Sequence, residues 1–406
     1  MQLYPHQEQS KQFLLDNKRA ILADQPRVGK TLPTAAAALE HLPALIVCPA
    51  IAKTVWEAAF NKLSDATVRV VNGKNDAMKT TQHQVVVINY DLLQYFNNAG
   101  YRTLVLDECH RLANPKAQRT KAAMLLMKQI DRVYALSGTL VPNKPAELWP
   151  ILHGLGIYRG GWFDFVYRYA KAWNPPWGGL DVSGASNIPE LKALVKPHML
   201  RRKKEDIFMD YQQPQVSLIT FDLPTDKREQ DFDADALAAN PNALLAFEGL
   251  SEIMREAGVK KAPLAVEFIA DVMRAGEAVV VFAHHKEVVE LLAAGLKEYK
   301  PVVVVGDTLK AQRQKNIDAF QAGKTKCFIG NISSCGEGID LSVADTIVFV
   351  EPTWQTSALE QASSRVENIN KNGIKPLIYL LTVRASLDHN ILQRVLQKQN
   401  IINQII

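Results

Sequence analysis

The segment Leu22–Thr31, LADQPRVGKT, follows a short apolar run and ends in the tripeptide Gly-Lys-Thr. A loop of this kind between a strand and a helix binds phosphate, because backbone N–H groups at the helix start point at phosphate oxygens. Lys30 would then reach the terminal phosphates, and the Thr31 hydroxyl would bind Mg²⁺. The match is partial, since the strict pattern has glycine where Asp24 stands. The tripeptide is common, so it predicts a nucleotide site only together with a second signal.

An acidic pair, Asp107 and Glu108, supplies that second signal in the segment TLVLDECH. Acidic side chains at the carboxyl end of a buried strand are well placed to hold a metal-bound phosphate. Asp107 would hold Mg²⁺, and Glu108 would polarise the attacking water. The alternative is a pair of solvated turn acids, which the upstream Gly-Lys-Thr makes less favourable.

A third segment, ALSGT at Ala135–Thr139, again places small hydroxyl residues after an apolar run. These residues could couple the nucleotide site to a neighbouring surface. The same residues are also typical of a plain turn. The sequence by itself leaves both interpretations open.

The elements that position these segments are short apolar runs rich in Val and Ile, separated by amphipathic or Ala-rich stretches. Such alternation predicts a parallel sheet with helices on both faces. The first group of predicted strands comprises Arg19–Ala23, Ala44–Cys48, Val85–Asn89, Thr103–Leu106 and Arg132–Leu136. The second group comprises 279–283, 301–305, 326–330, 346–350 and 376–381. The sequence therefore predicts two α/β regions, joined by a largely helical and irregular stretch at about 141–270.

Composition sets further limits. The chain has 406 residues, 47% hydrophobic and 22% charged, with a net charge of +5, which is typical of a soluble globular protein. The four cysteines, which include Cys335, lack the close spacing of a zinc or redox pair. Three of them lie in or beside apolar runs, which favours a reducing compartment: Cys48, Cys109 and Cys327. No histidine pattern predicts a structural metal. Without a signal peptide or a membrane-spanning run, we expect a cytoplasmic protein, or a nuclear one in a eukaryote.

The order of Gly-Lys-Thr, DECH, SGT and a later QASSRV resembles helicase superfamily two. Five segments resemble, more narrowly, the Swi/Snf-like family of DNA-dependent ATPases: LYPHQ, LIVCPA, INYDLL, DECHRLANPKAQRTKA and LSGTLVPNKPAELW. That family has an aspartate at the position of Asp24, so the missing glycine is normal there. The segments PPWGGLDVSGASN, ELKALVKPHMLRRKKED and VVVFAHHKEVVELL resemble its annealing-helicase (HepA-related) branch, which acts on branched or fork-like DNA.

The resemblance implies an α/β fold of two RecA-like lobes with small helical insertions between them. Lobe 1 would span residues 1–220, with a helical protrusion at about 141–200 and a basic brace at 199–206. A helical segment at about 225–275 would precede lobe 2, and the second region would span residues 221–406. ATP and Mg²⁺ would bind between the lobes.

The resemblance also assigns nucleotide-site roles residue by residue. Lys30, Asp107, Glu108 and Arg365 would be catalytic, with Thr31 and Asp107 as metal ligands. Gln7 would read the adenine edge beside Tyr4. The remaining nucleotide-site positions are Asp24, Arg27, Gly29, Gly338, Asp340, Gln361 and Arg365.

DNA contacts are expected from loops at one face of both lobes, because such motors grip the phosphate backbone largely without reading bases. The candidates are Pro49, Lys53, Asn143, Arg201, Arg202, Gly306, Thr308, Ser333, Ser334 and Trp354. Arg201 and Arg202 match the family's basic brace; the alternative is a solvated helix end. Three tryptophans would either stack on unpaired bases or pack a small protrusion: Trp162, Trp173 and Trp177.

Two departures from the family pattern bear on turnover. Arg27 replaces a family glycine, which costs about 1 kcal/mol if that position needs a left-handed backbone. Asn368 replaces the final arginine of QxxxRxxR, and loss of such a finger lowers turnover by about a thousandfold or more. Three explanations stay open: a slow or inactive motor, sufficiency of Arg365 alone, or a compensating charge from Arg27.

The sequence thus predicts a DNA-dependent ATPase that translocates on double-stranded or branched DNA, with fork regression or annealing as its helicase-like activity. ATP and Mg²⁺ are the expected cofactors, and we expect a monomer without membrane association. The alternative is an ATP-binding DNA clamp or regulator that scarcely hydrolyses ATP, for which Asn368 is the best argument.

Overall fold

The computed structural model describes residues 2–79, 83–96, 100–176, 178–224, 250–332, 339–351, 362–364, 366 and 375–393. These residues divide into two compact units, one ending at Ile207 and one beginning at Phe208. The division expected near residue 220 lies later than this boundary. The reason is that residues 215–221 form a strand of the second sheet, which the sequence analysis did not predict.

The first unit is built on a parallel sheet. Its strands are β1 (Arg19–Leu22), β2 (Ala44–Cys48), β3 (Val68–Val70), β4 (Val85–Asn89), β5 (Thr103–Leu106), β6 (Arg132–Leu136) and β7 (Met199–Leu200). The described strands lie in the order β3-β4-β2-β5-β6-β1-β7. The five predicted strands of this region are confirmed. The strands β3 and β7 were not predicted, because they are short, half-buried edge strands without the apolar run of a central strand.

The helices of the first unit are α1 (Pro5–Asp16), α2 (Thr31–Leu39), α3 (Lys53–Leu63), α4 (Lys74–Ala77), α5 (Gln118–Gln129), α6 (Trp149–Gly154), α7 (Trp162–Tyr169) and α8 (Ile188–Val195). They cover both faces of the sheet. Along β2, Leu45 and Val47 join one core and Ala44, Ile46 and Cys48 join the other, because successive side chains of a strand point to opposite faces. Both faces are therefore apolar, as a covered parallel sheet requires.

The insertion at 141–200 shares its core with the first unit. Apolar side chains of α6, α7 and α8, including Ile151, Phe165 and Leu191, lie in the same buried cluster as Leu45 and Val47. Burial of these side chains fixes the insertion to the sheet-bearing body.

The second unit repeats the architecture. Its strands are β8 (Gln215–Phe221), β9 (Val279–Ala283), β10 (Val302–Val304), β11 (Cys327–Asn331), β12 (Thr346–Phe349) and β13 (Leu377–Val383), and the described ones lie in the order β10-β11-β9-β12-β13-β8, all parallel. Its described helices include α9 (Leu250–Arg274), α10 (Lys286–Gly295) and α11 (Lys310–Gln321). Two parallel sheets flanked by helices confirm the predicted α/β class.

Three cysteines behave as the sequence predicts for small core residues. Cys48, Cys109 and Cys327 are fully buried and unpaired by disulfides; Cys335 lies outside the described residues. Among the described helices, none combines the length and hydropathy needed to cross a bilayer.

Candidate functional site

Three loops gather at one edge of the first sheet. The strands β5, β6 and β1 are parallel neighbours, so the loops that follow them leave from the same edge. These loops carry Lys30 after β1, Asp107 and Glu108 after β5, and Ser137 after β6. Burial and the charge of Glu108 raise the pKa of Asp107, and the nearby charge of Lys30 opposes that rise. The tertiary structure therefore brings together the segments that the sequence analysis singled out.

Lys30 forms hydrogen bonds within the predicted phosphate loop. The Lys30 ammonium donates hydrogen bonds to the backbone carbonyls of Asp24 (2.7 Å) and Gln25 (3.2 Å). Both acceptors are neutral oxygens, so this geometry leaves the positive charge of Lys30 uncompensated by these contacts. A phosphate group approaching the loop would meet that charge together with the N-terminus of α2.

Gly29 is required by the fold of this loop. Its φ is +90°, and a Cβ built there would lie 2.8 Å from Gln7 Nε2. The Gln7 amide in turn donates to the Gly29 carbonyl (3.2 Å) and accepts from the Tyr4 N–H (3.1 Å). Gln7 therefore ties α1 to the phosphate loop, while its predicted reading of adenine stays a prediction. Tyr4 is largely exposed and stacks on the His6 ring.

Arg27 has a left-handed backbone, with φ +69°. An L-residue with a Cβ is strained in this region, whereas glycine is not. The position therefore has the left-handed backbone at which arginine was expected to be less stable than glycine.

We expect the Arg27→Gly variant to be more stable than Arg27→Ala by about 1 kcal/mol in the free energy of unfolding. Both variants lose the guanidinium, so the comparison isolates the backbone. Urea denaturation followed by tryptophan fluorescence measures the difference. Equal stabilities would show that the left-handed conformation costs nothing here.

Asp107 is oriented by two buried neighbours. The Trp56 indole N–H donates to Asp107 Oδ2 (2.8 Å), and the Tyr90 hydroxyl donates to the Asp107 backbone carbonyl (2.7 Å). Burial, followed by the charge of Glu108, raises the pKa of Asp107 to about 7, and the Trp56 hydrogen bond opposes this rise. One carboxylate oxygen is thus held by the protein while the group stays able to ionise near neutral pH.

Neither Trp56 nor Tyr90 was predicted as part of the site. Trp56 is fully buried on α3, and Tyr90 is nearly so, following β4. Their local sequence is typical of aromatic residues that pack in a core. Only the pairing of strands brings them next to a carboxylate that lies 51 and 17 residues away in the chain.

We expect Trp56→Phe to raise the Mg²⁺ concentration for half-maximal ATP hydrolysis at pH 7 by about tenfold, because the ionised Asp107 loses a charge-assisted hydrogen bond. Loss of this bond raises the Asp107 pKa further, so the acid limb of the activity profile should shift to higher pH. A Mg²⁺ titration of hydrolysis and of fluorescent-nucleotide binding measures the effect. Phe60→Leu, beside Trp56 on α3, is the packing control; the same Mg²⁺ midpoint in both variants would contradict the assignment.

Glu108 is linked to the third loop through His110. Glu108 has a left-handed backbone, with φ +51°, at the sharp turn after β5. His110 Nδ1 lies 3.2 Å from Glu108 Oε2 and 2.9 Å from Ser137 Oγ, and the Thr139 N–H donates to Ser137 Oγ (3.1 Å). A chain of contacts through His110 therefore connects Glu108 with Ser137, as the coupling role predicted for the ALSGT segment requires. His110 was not among the residues predicted from the sequence.

Gly138 completes the contact between the loops. A Cβ at Gly138 would approach Pro26 to 2.8 Å, so only glycine lets the loop after β6 pack against the phosphate loop.

Arg202 is an internal brace in the structure. Its guanidinium forms a two-pronged ion pair with the buried Asp24 carboxylate, and its backbone N–H donates to Asp24 Oδ1 (2.9 Å). The same guanidinium donates to the His6 carbonyl (2.5 Å) and to the Ser10 hydroxyl. Arg202 was expected to contact DNA, but in the structure its guanidinium donors are used within the protein. Arg201, beside it, is half-buried.

Three other expected DNA contacts are likewise engaged or buried. Lys53 is 8% exposed and its ammonium donates to the Val71 carbonyl (2.6 Å), while burial lowers its pKa. Pro49 is buried. Asn143 donates through its backbone N–H to Glu147 (2.7 Å). Lys53 is therefore engaged within the protein, and the DNA contact of Asn143, which is half-buried, stays a prediction.

In the second unit, Gly306 is exposed in the loop after β10, and the neighbouring Thr308 hydroxyl accepts from the Val305 N–H (2.9 Å). Asp340 is exposed and accepts from the Ser342 N–H (3.2 Å). The remaining predicted residues lie outside the described residues: Ser333, Ser334, Gly338, Trp354, Gln361, Arg365, Asn368 and Trp177.

The residues of the first unit fit a magnesium-bound nucleotide. Asp107 and Glu108 are adjacent acids whose mutual repulsion helps to raise the pKa of Asp107, and a divalent cation relieves such repulsion. Within the described ranges, no group of three His, Cys, Asp or Glu side chains could hold a metal alone. One or two carboxylates, together with phosphate oxygens and water, are the ligands that Mg²⁺ usually takes.

Comparison with known proteins agrees with this geometry. Residues 6–256 match the SNF2-related domain, and residues 261–370 match the Helicase conserved C-terminal domain. The chain is 30% identical, over 95% of its length, to the SWI/SNF-related matrix-associated actin-dependent regulator of chromatin subfamily A-like protein 1 of Xenopus laevis, of which the match covers 42%. It is 25% identical, over 93% of its length, to the human DNA annealing helicase and endonuclease ZRANB3, of which the match covers 38%.

A solved structure, the Sulfolobus solfataricus SWI2/SNF2 ATPase core in complex with dsDNA, was also compared. The alignment covers 100% of the present chain and 93% of the Sulfolobus chain, with a TM-score of 0.49 and 21% identity. The chain spans less than half the length of the curated relatives named above. The match to the SNF2-related domain alone takes in more than half of the chain. The resemblance drawn from the motifs is confirmed, and the chain belongs to the SNF2-related family of helicase-like, DNA-dependent ATPases.

Proposed function

We propose that this chain is an ATP-driven translocase on double-stranded DNA, with branched or fork-like DNA as its substrate. The observation that carries the proposal is the gathering of Lys30, Asp107, Glu108 and Ser137 at one edge of the first sheet. Transfer of a phosphoryl group to water needs a positively charged side chain that binds phosphate, here Lys30, and acidic side chains beside it, here Asp107 and Glu108.

The proposed roles follow from the contacts. Lys30 and the N-terminus of α2 would bind the terminal phosphates, and Thr31 and Asp107 would hold Mg²⁺. Bound Mg²⁺ supplies charge neutralisation on the phosphate oxygens. Glu108 would orient the attacking water and accept its proton. His110 and Ser137 join Glu108 to the loop after β6, so a change at that loop would reach the catalytic carboxylate through two hydrogen-bonding contacts.

Fork-like DNA is proposed from two sources. Three segments of the sequence resemble the annealing-helicase branch, and one relative is the human DNA annealing helicase and endonuclease ZRANB3. The rival proposal is a DNA clamp that binds ATP with little hydrolysis, and it rests on Asn368 in place of the last motif arginine. Arg27, which lies in the phosphate loop, is the proposed compensating charge.

The test is ATP hydrolysis measured without DNA and with single-stranded, duplex and forked DNA, using Glu108→Gln as the blank. We expect duplex DNA to stimulate hydrolysis at least about tenfold and forked DNA to stimulate it most. Hydrolysis no faster than the blank, with ATP and DNA still bound, would replace the motor by the clamp. Arg27→Ala hydrolysing ATP as fast as the parent would remove Arg27 from the mechanism.

A further inference from the structure

The helix α7 presents two aromatic rings to solvent. Phe163 is 64% exposed and Tyr167 is 51% exposed. Residues four apart on a helix are neighbours on one face, so the two rings form a short aromatic row. Nothing in the proposed nucleotide site uses them, and their exposure costs hydrophobic free energy that burial would recover.

The other face of α7 makes the row rigid. Phe165, Val166 and Tyr169 are buried, and Phe165 packs edge-on against Tyr158 with ring centroids 5.0 Å apart. The Tyr169 hydroxyl donates to Glu190 (2.6 Å). A helix anchored in this way presents Phe163 and Tyr167 at fixed positions.

Two exposed cations lie at the ends of the helix that carries the row. Arg159 precedes α7 and Lys171 follows it, both exposed, and neither side chain forms an ion pair in the described part of the chain. Two acidic residues lie nearby: Glu190 pairs with Arg168 (2.8 Å), whereas the exposed Asp164 accepts from the Gly161 N–H (2.9 Å) and keeps its negative charge, so the cations outnumber the acids by one.

The type of exposed side chain indicates which kind of molecule binds the aromatic row. In the insertion at 141–200 the described large exposed hydrophobic side chains are all aromatic: Phe163, Tyr167 and Trp173. Elsewhere they are mostly aliphatic, as at Leu125, Leu291 and Met209. Aromatic rings flanked by cations stack on unpaired bases and attract the phosphate backbone, which aliphatic patches do not.

We propose that Phe163 and Tyr167, flanked by Arg159 and Lys171, form a binding site for single-stranded DNA. The inference builds on the proposed duplex-DNA motor and adds to it a separate site for the unpaired strand of a fork. Of the two roles left open for Trp162, the structure shows packing, because its ring lies edge-on against Trp149 with centroids 5.6 Å apart.

The test is fluorescence anisotropy of a dye-labelled oligothymidine, titrated with the full chain in the absence of nucleotide. We expect Phe163→Ala and Tyr167→Ala each to weaken binding about tenfold, and the double variant about a hundredfold. Tyr167→Phe should retain the affinity, because the ring is kept. Arg159→Ala and Lys171→Ala should each reduce the salt dependence of binding.

Leu125→Ala on α5 is the matched control, since Leu125 is 57% exposed without an aromatic ring. Unchanged affinity in the double variant, or no single-strand binding by the parent, would overturn the proposal. So would loss of self-association in the double variant with single-strand binding intact, which would make the row a contact between copies. Duplex-stimulated ATP hydrolysis should be unaffected by the double variant, so failure of the motor and failure of this site are separate results.

Discussion

We expect the Glu108→Gln variant to hydrolyse ATP about a thousandfold more slowly than the parent at saturating ATP and duplex DNA. A positioned general base contributes about 10²–10⁴ to a rate, and the glutamine amide cannot accept the proton of the attacking water. Glutamine keeps the size of the side chain, so the turn after β5 and the contact to His110 should persist. A coupled assay of phosphate release measures the rate.

Nucleotide binding is the control for this variant. Lys30 and the N-terminus of α2 are unchanged by the substitution, so the affinity for ATP with Mg²⁺ should stay within about threefold of the parent. A variant that binds ATP and keeps more than a tenth of parental hydrolysis would show that Glu108 is not the base. His110→Ala should give a smaller loss, because His110 acts through Glu108 and Ser137.

The second large effect concerns the brace between Arg202 and Asp24. We expect Arg202→Ala to lower the free energy of unfolding by about 3–5 kcal/mol, because it leaves the Asp24 carboxylate, 1% exposed, without its charged partner. Arg202→Lys should recover only part of this loss, since one ammonium cannot replace a guanidinium that also reaches His6 and Ser10. The phosphate loop begins at Asp24, so ATP binding should weaken as well.

Urea denaturation measures this prediction. Trp56, Trp149 and Trp162 all lie in the first unit and report its unfolding by fluorescence. Lys203→Ala is the matched control: Lys203 is the adjacent cation, its side chain is 59% exposed, and its loss should change stability by less than about 0.5 kcal/mol.

A double-mutant cycle with Asp24→Asn isolates the pair. The double variant should be less destabilised than the sum of the two single variants, because the buried charge has been removed together with its partner. Strict additivity would mean that Arg202 stabilises the unit through His6 and Ser10 alone.

Most of the strands could be predicted from the sequence for a physical reason. A covered parallel strand must be apolar on both faces, so β2, β4 and β9 stand out as uninterrupted runs. Short half-buried strands such as β3 and β7 need no such run and were missed. The strand β8 has polar residues and a partly exposed edge position, so its place in the second sheet was missed as well.

The amino-acid sequence by itself determined the α/β class and placed the Gly-Lys-Thr loop and the acidic pair directly after strands, because these features depend on residues close together in the chain. The tertiary structure decided which cations face solvent. Lys53, Arg202 and Arg159 are equally basic in the sequence, yet Lys53 donates to a buried carbonyl, Arg202 pairs with a carboxylate 178 residues away, and Arg159 is exposed. Burial depends on strand order and packing between distant segments, which composition and spacing do not encode, and it alone separates a brace from a surface that can meet DNA.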